Sequence, residues 1–281
     1  MWNANRSSPS AATGETSAAT SSTTPHAKSA SLQRGTAVPR RASVRERTAY
    51  AATTSASGAS CSGSKVQSPT ASTLESPAVQ VFHYHLVTSK VRQVEARYLG
   101  KLGFGLVGRH GRIADDLTSY ESGVSWEELD RTGFKLRLSE LERGSVNVVV
   151  QPGQWDLPRL DHLGIALDED DFAATIERAA ELDLRVQDHG GRRTFVATNG
   201  GFRLEVHPPR EWLEDLLEAG REFRLGELHL RADDPDLKAR ALAELLGLVP
   251  AGTAVAIGNA VVRFLPGGPQ GRPQLEAELF L

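Results

Sequence analysis

One strand, one helix and several short strands recur in the same order three times between residues 79 and 281. In the clearest copy, an apolar run at 160–167 is followed by a helical pattern and by three short β patterns that end at His207. Turn signals at Gly190-Gly191 and at residues 199–201 separate these short strands. A sheet of this size cannot bury its own apolar face, so the units must pack against one another. The repeat predicts an α+β fold made of βαβββ modules.

The repeat also sets the predicted domain boundaries. Module 1 covers residues 79–157, module 2 covers 158–209, a linker helix covers 210–222 and module 3 covers 223–281. Residues 1–78 are rich in Ser, Thr and Ala, carry three acidic against eight basic residues, and show no hydrophobic periodicity. Such a segment cannot bury enough apolar surface to offset its ordering entropy, so we predict a disordered tail. Its acid-poor composition fits either a passive extension or an organelle transit peptide, and both interpretations stay open.

Charge and cysteine content exclude several classes of protein. A formal net charge of -3 provides no overall basic field for a nucleic acid. The single cysteine, Cys61, excludes an internal disulfide and a paired-cysteine zinc site. No apolar run approaches the roughly 20 residues of a membrane-spanning helix. We therefore expect a soluble, cytoplasmic protein that acts on a small molecule, with neither a nucleic acid nor a membrane as partner.

Two short motifs of module 2 carry a resemblance to a known family. These are LDHLGI at residues 160–165, in the first strand, and GFRLEV at residues 201–206, around the last strand. A βαβββ unit with a His in its first strand and a Glu in its last resembles the vicinal oxygen chelate superfamily. That superfamily includes glyoxalase I, the extradiol dioxygenases, and the fosfomycin and bleomycin resistance proteins. The resemblance implies that modules 1 and 2 pair into a cup-shaped, curved mixed sheet with the helices outside, and that metal ligands project into the cup.

The resemblance also implies a set of metal ligands. Carried over to this sequence, the ligand positions are His85, His162 and Glu205, and the fourth ligand position of glyoxalase-like members holds Val149. Two imidazoles and one carboxylate suit a non-haem Fe(II) ion with open positions for substrate and O₂. Fe(II) is thus the favoured cofactor, while Zn, Ni or Mn would also accept these ligands.

Strand alternation adds two polar side chains to the same sheet face. Residues two apart in a strand point the same way, so His83 lies on the face of His85, and His207 lies on the face of Glu205. Burying such groups without partners costs several kcal/mol each, and a metal would satisfy them. We assign His83 and His207 as candidate catalytic residues, acting as acid or base or as partners of the ligands.

Three further residues are candidates for contact with the substrate. Arg192 and Arg193 follow a glycine pair, and they are either a clamp for a carboxylate or phosphate or a solvated rim. Tyr120 lies in a long segment at residues 111–133 that also carries a capping-box pattern beginning at Ser125. This segment is either a lid over the cup or a passive surface excursion.

The favoured function is a metal-dependent enzyme of the vicinal oxygen chelate type, either extradiol-dioxygenase-like or glyoxalase-like. Its metal would chelate two adjacent oxygens of a small substrate and stabilise the charge that develops on them. The alternative is a metal-free protein that binds and sequesters a small molecule, as the bleomycin resistance proteins do. Module 3 has Glu227 at the first-strand His position and no partner module, so we expect a structural or homodimer-forming role for it.

Overall fold

The computed structural model describes residues 79–219, 222–258 and 260–281, so the tail predicted at residues 1–78 lies outside the described residues. It contains thirteen strands and five helices among these residues. The strands are β1 (Val79–Thr88), β2 (Gly105–Ile113), β3 (Asp116–Glu121), β4 (Lys135–Arg143), β5 (Val146–Pro152), β6 (Arg159–Leu167), β7 (Val186–Asp188), β8 (Thr194–Ala197), β9 (Arg203–His207), β10 (Leu225–Arg231), β11 (Ala254–Ile257), β12 (Ala260–Leu265) and β13 (Gln274–Phe280). The helices are α1 (Val91–Lys101), α2 (Trp126–Arg131), α3 (Glu169–Glu181), α4 (Glu211–Ala219) and α5 (Pro235–Leu246).

Modules 1 and 2 contain the predicted βαβββ arrangement. In module 1, β1 pairs with β5 in parallel, β4 pairs antiparallel with β5, and β2 pairs antiparallel with β4. In module 2, β6 pairs with β9 in parallel, and β8 and β7 follow. The first strands β1 and β6 then pair antiparallel with each other and join both modules into one mixed sheet. The prediction of an α+β fold with a large mixed sheet is confirmed.

The apolar core lies between this sheet and its helices. Alternate residues of β1 and β6, among them Tyr84, Leu86, Leu163 and Ile165, are fully buried and point toward the helix layer. The residues between them, which include His83 and His162, point to the opposite face of the sheet. The period of two thus separates an apolar layer from a polar one.

The third segment has a strand, a helix and three strands in that order, and it differs from modules 1 and 2 in how its last strand pairs. The closing strand of such a module runs parallel to the first, and here β12 takes that place beside β10. The strand at Gln274–Phe280, expected to close the module, pairs antiparallel with the other edge of β10. Its first residue also pairs with Arg159 of β6, which connects the segment to module 2. The predicted homodimer through this segment stays a prediction.

Side chains or glycine cap the ends of three helices. Ser125 and Glu128 form the predicted capping box of α2. Asp168 and Asp234 cap α3 and α5 by accepting a backbone N–H three residues later. Gly247 ends α5 in the left-handed conformation at φ 68°, which glycine adopts without steric cost. None of the helices among the described residues is long and apolar enough to span a membrane.

A buried ion pair fastens α2 to the helix side of module 1. Glu95 of α1, at 2% exposure, accepts hydrogen bonds from Arg109 on β2 at 2.5 and 3.0 Å. It also accepts from the indole Nε1 of Trp126 at 2.9 Å and from the Ser139 hydroxyl at 2.5 Å. The segment predicted as a possible lid therefore packs on the helix side.

We expect Arg109→Met to destabilise the protein by about 3–5 kcal/mol, because it leaves the Glu95 carboxylate buried without its counter-charge. Arg92→Met is the matched control. Both guanidinium groups lie over the Trp126 ring, at 4.3 Å for Arg109 and 4.6 Å for Arg92, but the Arg92–Asp130 pair is exposed. Its loss should cost no more than about 1 kcal/mol. Denaturant unfolding of both variants measures this difference, and equal losses would contradict the assignment.

Candidate metal centre

The pairing of β1 with β6 contains two β-bulges. In β1 the extra residue is Phe82, because Val81 pairs with Ile165 and His83 already pairs with Gly164. In β6 the extra residue is Asp161, because His162 pairs with His85 and Leu160 already pairs with Leu86. The two bulges are related by a local twofold axis through the Tyr84–Leu163 pair.

This symmetry determines which histidines are equivalent. Exchanging the two strands exchanges the bulges, so His83 corresponds to His162 and His85 corresponds to Gly164. The sequence predicted instead that His85 is equivalent to His162. Alternation alone does not show the bulges, which decide which residues of β1 and β6 face each other. The closing strands agree with the new equivalence: Asn147 is the neighbour of His83, as Arg203 is of His162. Val149 therefore corresponds to Glu205, as predicted.

The same register recurs in β10 and β13, where the extra residues are Gly226 and Glu276. By this correspondence Glu227 matches His83 and His162, and His229 matches His85. Ala277 of β13 stands at the place of His162. The third segment thus repeats the strand pair of the candidate centre without its pair of equivalent histidines.

Donor atoms of His83 and Glu205 both lie close to the Nε2 of His162. The Nε2 atoms of His83 and His162 lie 3.1 Å apart, and the Nε2 of His162 lies 3.1 Å from Oε2 of Glu205. All three residues are at least nine-tenths buried. Ligand atoms bound about 2.1 Å from one metal ion lie roughly 3.0–3.4 Å from each other. The two 3.1 Å distances at His162 are those expected between neighbouring ligands of one metal ion.

Outer hydrogen bonds determine which nitrogen of each histidine faces the centre. The Nδ1 of His162 donates to the Asp161 carboxylate at 2.8 Å. The Nδ1 of His83 donates to the Asn147 carbonyl oxygen at 2.7 Å, because the Asn147 amide group donates to Glu140 at 2.8 Å. Each imidazole thus directs Nε2 toward the other and toward Glu205. Two unprotonated Nε2 atoms that face each other would repel, so either a metal ion or a second proton on His162 must lie between them.

His85 is the third histidine of the cluster. Its ligand nitrogen and those of His83 and His162 all lie within 4.8 Å of one another. Its Nε2 is buried and has no hydrogen-bond partner, which is costly unless a metal, a water or a substrate group completes it. The structure therefore brings both His83 and His85 to the centre, and its symmetry favours His83 as the ligand.

The other predicted site residues lie on the Glu205 side or away from the cluster. His207 donates from Nε2 to Oε1 of Glu205 at 3.0 Å, which leaves Oε2 directed at His162. Arg193 lies 3.6 Å from the same Oε1, while Arg192 lines a neighbouring cavity of about 310 Å³ beside His207. Tyr120 is paired with Arg109 on β2, so it shares the helix face of the sheet and is not brought to the cluster.

Burial acts in opposite directions on the pKa values of the two histidines of β1 and of Glu205. Burial, with the neighbouring His162, lowers the pKa of His83 to about 4. Burial, with His162 and His83, lowers the pKa of His85 to about 3. For Glu205, burial alone would raise the pKa, but His162 and His207 hold it well below its usual range. At neutral pH His83 and His85 are thus neutral and Glu205 is ionised, which are the forms that bind a metal ion.

Sequence reasoning missed the residues that support the ligands. Asp161 precedes His162, and strict alternation would place it on the other face, but the bulge brings its carboxylate to the imidazole. Asn147 contacts His83 across 64 residues of the chain, which no local pattern indicates. Gly164 lies opposite His83, where a Cβ atom would approach the His83 Cβ to 2.6 Å. In the sequence, the one available sign of these contacts was that Asp161 directly precedes His162.

The paired modules carry the candidate centre on one face of the sheet. Two βαβββ modules, joined through their first strands, present two equivalent histidines and a closing-strand glutamate on the face away from the helices. The paired modules confirm the fold implied by the resemblance to the vicinal oxygen chelate superfamily. The described residues contain a cluster of histidines able to hold a metal ion.

Several solved structures have a similar fold, among them the following three. A xylose isomerase-like TIM barrel/4-hydroxyphenylpyruvate dioxygenase fusion protein is 13% identical, with a TM-score of 0.42. A halotolerant catechol dioxygenase is 12% identical with a TM-score of 0.43, and a Mn(II)-bound glyoxalase from Novosphingobium aromaticivorans is 13% identical with a TM-score of 0.41. The matches cover 73%, 71% and 71% of this chain, and 35%, 68% and 64% of the three proteins. No protein-family sequence profile and no curated protein sequence matches the chain.

We expect Gly164→Ala to weaken metal binding, because the new methyl group would displace His83 from its position opposite. Gly100→Ala is the control, since nothing lies within 4 Å of a Cβ atom at that helical position. The control should leave metal affinity unchanged and stabilise the protein by about 0.5–1 kcal/mol. Metal titration and thermal unfolding of both variants provide the measurement. Unchanged metal affinity in Gly164→Ala would show that His83 is not a ligand.

The metal-free protein should lose stability on mild acidification. The pKa values of His83 and His85 are about 4 and 3 in the folded protein, below the ordinary 6.5, so the unfolded chain binds more protons as the pH falls. Their contribution is complete above pH 6.5 and is lost progressively toward pH 4. Denaturant unfolding at several pH values, after chelation, measures this slope. His85→Gln should flatten it, and an identical slope in that variant would contradict the expectation.

Proposed function

We propose that this chain is a metal-dependent enzyme in which His83, His162 and Glu205 hold one divalent ion. The observation that carries the proposal is that the Nε2 of His162 lies 3.1 Å from the Nε2 of His83 and 3.1 Å from Oε2 of Glu205. Each donor is held from behind by an outer partner, which is the arrangement common to protein metal sites. A proton on His162 would bridge the same atoms in the metal-free protein, so metal content is the decisive measurement.

The ligand set favours an oxygenase-type Fe(II) centre over a glyoxalase-type one. Two histidines and one carboxylate on one face leave open positions for substrate and O₂. The place of a fourth ligand, the equivalent of Glu205 in module 1, holds Val149, which is buried and cannot bind a metal. Zn, Ni and Mn remain alternatives for the same ligands. When bound, such an ion chelates two adjacent oxygens of a small substrate and stabilises the charge that develops there.

The remaining polar residues of the centre have separable roles under this proposal. His85 is the candidate acid or base, because it is neutral, buried and has a free Nε2 beside the ligands. His207 orients Glu205 through its hydrogen bond to Oε1 and so positions a ligand. Arg193, with its side chain 67% exposed, lies beside Glu205, where it can attract an anionic substrate. These roles revise the initial assignment of His83 and His207 as catalytic residues.

A metal-free binding protein is the second candidate function. It would use the same sheet face to hold a small molecule, with a proton on His162 in place of the metal ion. The buried, unpartnered Nε2 of His85 would then bind a hydroxyl or carbonyl group of the ligand.

Metal analysis of His83→Ala and His85→Ala separates the two ligand assignments. We expect His83→Ala to lower metal affinity more than about 100-fold, since losing a ligand costs more than losing an outer partner. His85→Ala should keep its metal and lose turnover of catechol-type substrates.

The wild-type protein is purified anaerobically, without an affinity metal column, and its metal is measured by elemental analysis. His229→Ala is the matched control, because His229 is the counterpart of His85 in the third segment and lies outside the centre. Loss of metal in His85→Ala, with metal retained in His83→Ala, would restore the assignment made from sequence. Absence of metal in wild type, even after reconstitution, would favour the binding protein.

A further inference from the structure

We propose that Arg272, in the loop before β13, is a positioning residue for the metal centre and acts through Asp161 on His162. The inference rests on the proposed function, because it concerns the same centre. It gives the third segment of the chain a role in the site of modules 1 and 2.

The contacts at Asp161 carry the argument. This carboxylate is 4% exposed and has three partners. Its Oδ2 accepts hydrogen bonds from the Nδ1 of His162 and from Arg203, while its Oδ1 lies 2.5 Å from Nη2 of Arg272. The two arginines therefore hold the two oxygens separately.

Removing Arg272 would free one carboxylate oxygen inside the protein. Oδ1 would then be buried without a partner, and a guanidinium group that binds both oxygens at once is the preferred geometry for the remaining arginine. Rotation of the Asp161 carboxylate toward Arg203 would satisfy both groups and draw Oδ2 away from His162. Arg272 thus keeps the acceptor of the His162 Nδ1–H bond in place.

The loop holds Arg272 rigidly in this position. Backbone hydrogen bonds join Leu160 to Pro273 and Leu275 to Pro158, each at 2.8 Å, just before Asp161 in the chain. The buried Lys238 of α5 donates to the Gly271 carbonyl oxygen at 3.0 Å.

The loop also packs on the turn that leads into β9. A Cβ atom on Gly201 would approach the Gly271 oxygen to 2.7 Å, so the two segments are in close contact. Arg272 is therefore held in place by the surrounding loop. It fixes the position of the Asp161 carboxylate and does not move with it.

The test compares Arg272→Met with Arg231→Met. Arg231 is an arginine of the same segment, and its paired Glu276 is the counterpart of Asp161, but the pair lies at the surface away from the centre. We expect Arg272→Met to weaken Zn(II) binding about tenfold, the lower end of the range for outer partners of ligands. Arg272→Lys should recover part of the loss, because an ammonium group can still bind Oδ1.

A second measurement needs no metal. The Nδ1 proton of His162 is observed by NMR in metal-free protein labelled with ¹⁵N-histidine, and its exchange with water reports the hydrogen bond to Asp161. Exchange should be about tenfold faster in Arg272→Met and unchanged in Arg231→Met. Asp161→Asn marks the full loss of the carboxylate.

The outcomes distinguish the two proposals. Faster Nδ1 exchange in Arg272→Met supports the role of Arg272, even if wild type binds no metal and the proposed function fails. Unchanged exchange and unchanged Zn(II) affinity in Arg272→Met, together with a clear effect of Asp161→Asn, would overturn it. Equal effects in Arg272→Met and Arg231→Met would also overturn it, because they would report a general loss of packing.

Discussion

The antiparallel pairing of β1 with β6 is the constraint on which the rest of the structure depends. It joins the two modules, and its two bulges place Phe82 and Asp161 at symmetric points around the Tyr84–Leu163 pair. Each bulge adds one residue and so changes which side chains meet across the pair. Without them His83 and His162 would not face each other with their Nε2 atoms 3.1 Å apart. The pairing of β1 with β6 therefore accounts both for the joining of the two modules and for the position of the candidate centre.

Burial of so many polar groups is possible because each ligand has an outer partner. Asn147 and Asp161 hold the two imidazoles, and His207 holds Glu205. These partners are themselves bonded, since Glu140 accepts from Asn147, and two arginines contact Asp161. A network satisfied in this way stiffens the site, whereas a partly satisfied one would destabilise the fold. His85 is the exception in the cluster, because its buried Nε2 has no hydrogen-bond partner.

The third segment shows that the fold alone does not make the site. Strands β10 and β13 repeat the register and the bulges of β1 and β6, yet Glu227 and Ala277 replace the two equivalent histidines. The same strand pair thus occurs twice, as β1–β6 with the candidate ligand histidines and as β10–β13 without them. What the third segment contributes to the centre comes instead from a loop residue, Arg272, which contacts Asp161. Function follows from the side chains that a strand pair carries and from the groups that hold them.

The sequence by itself predicted the α+β class and the sheet face that carries the polar side chains. Alternation placed His83 beside His85 and His207 beside Glu205 on one sheet face, because a period of two is a local property of a strand. Only the tertiary structure decided which histidines are equivalent, since a bulge depends on the partner strand and leaves no periodic signal. It also decided that Tyr120 lies on the helix face, that Asn147 contacts His83 and that Arg272 contacts Asp161. Contacts between residues 64 or more positions apart arise from strand pairing across modules, which no local pattern encodes.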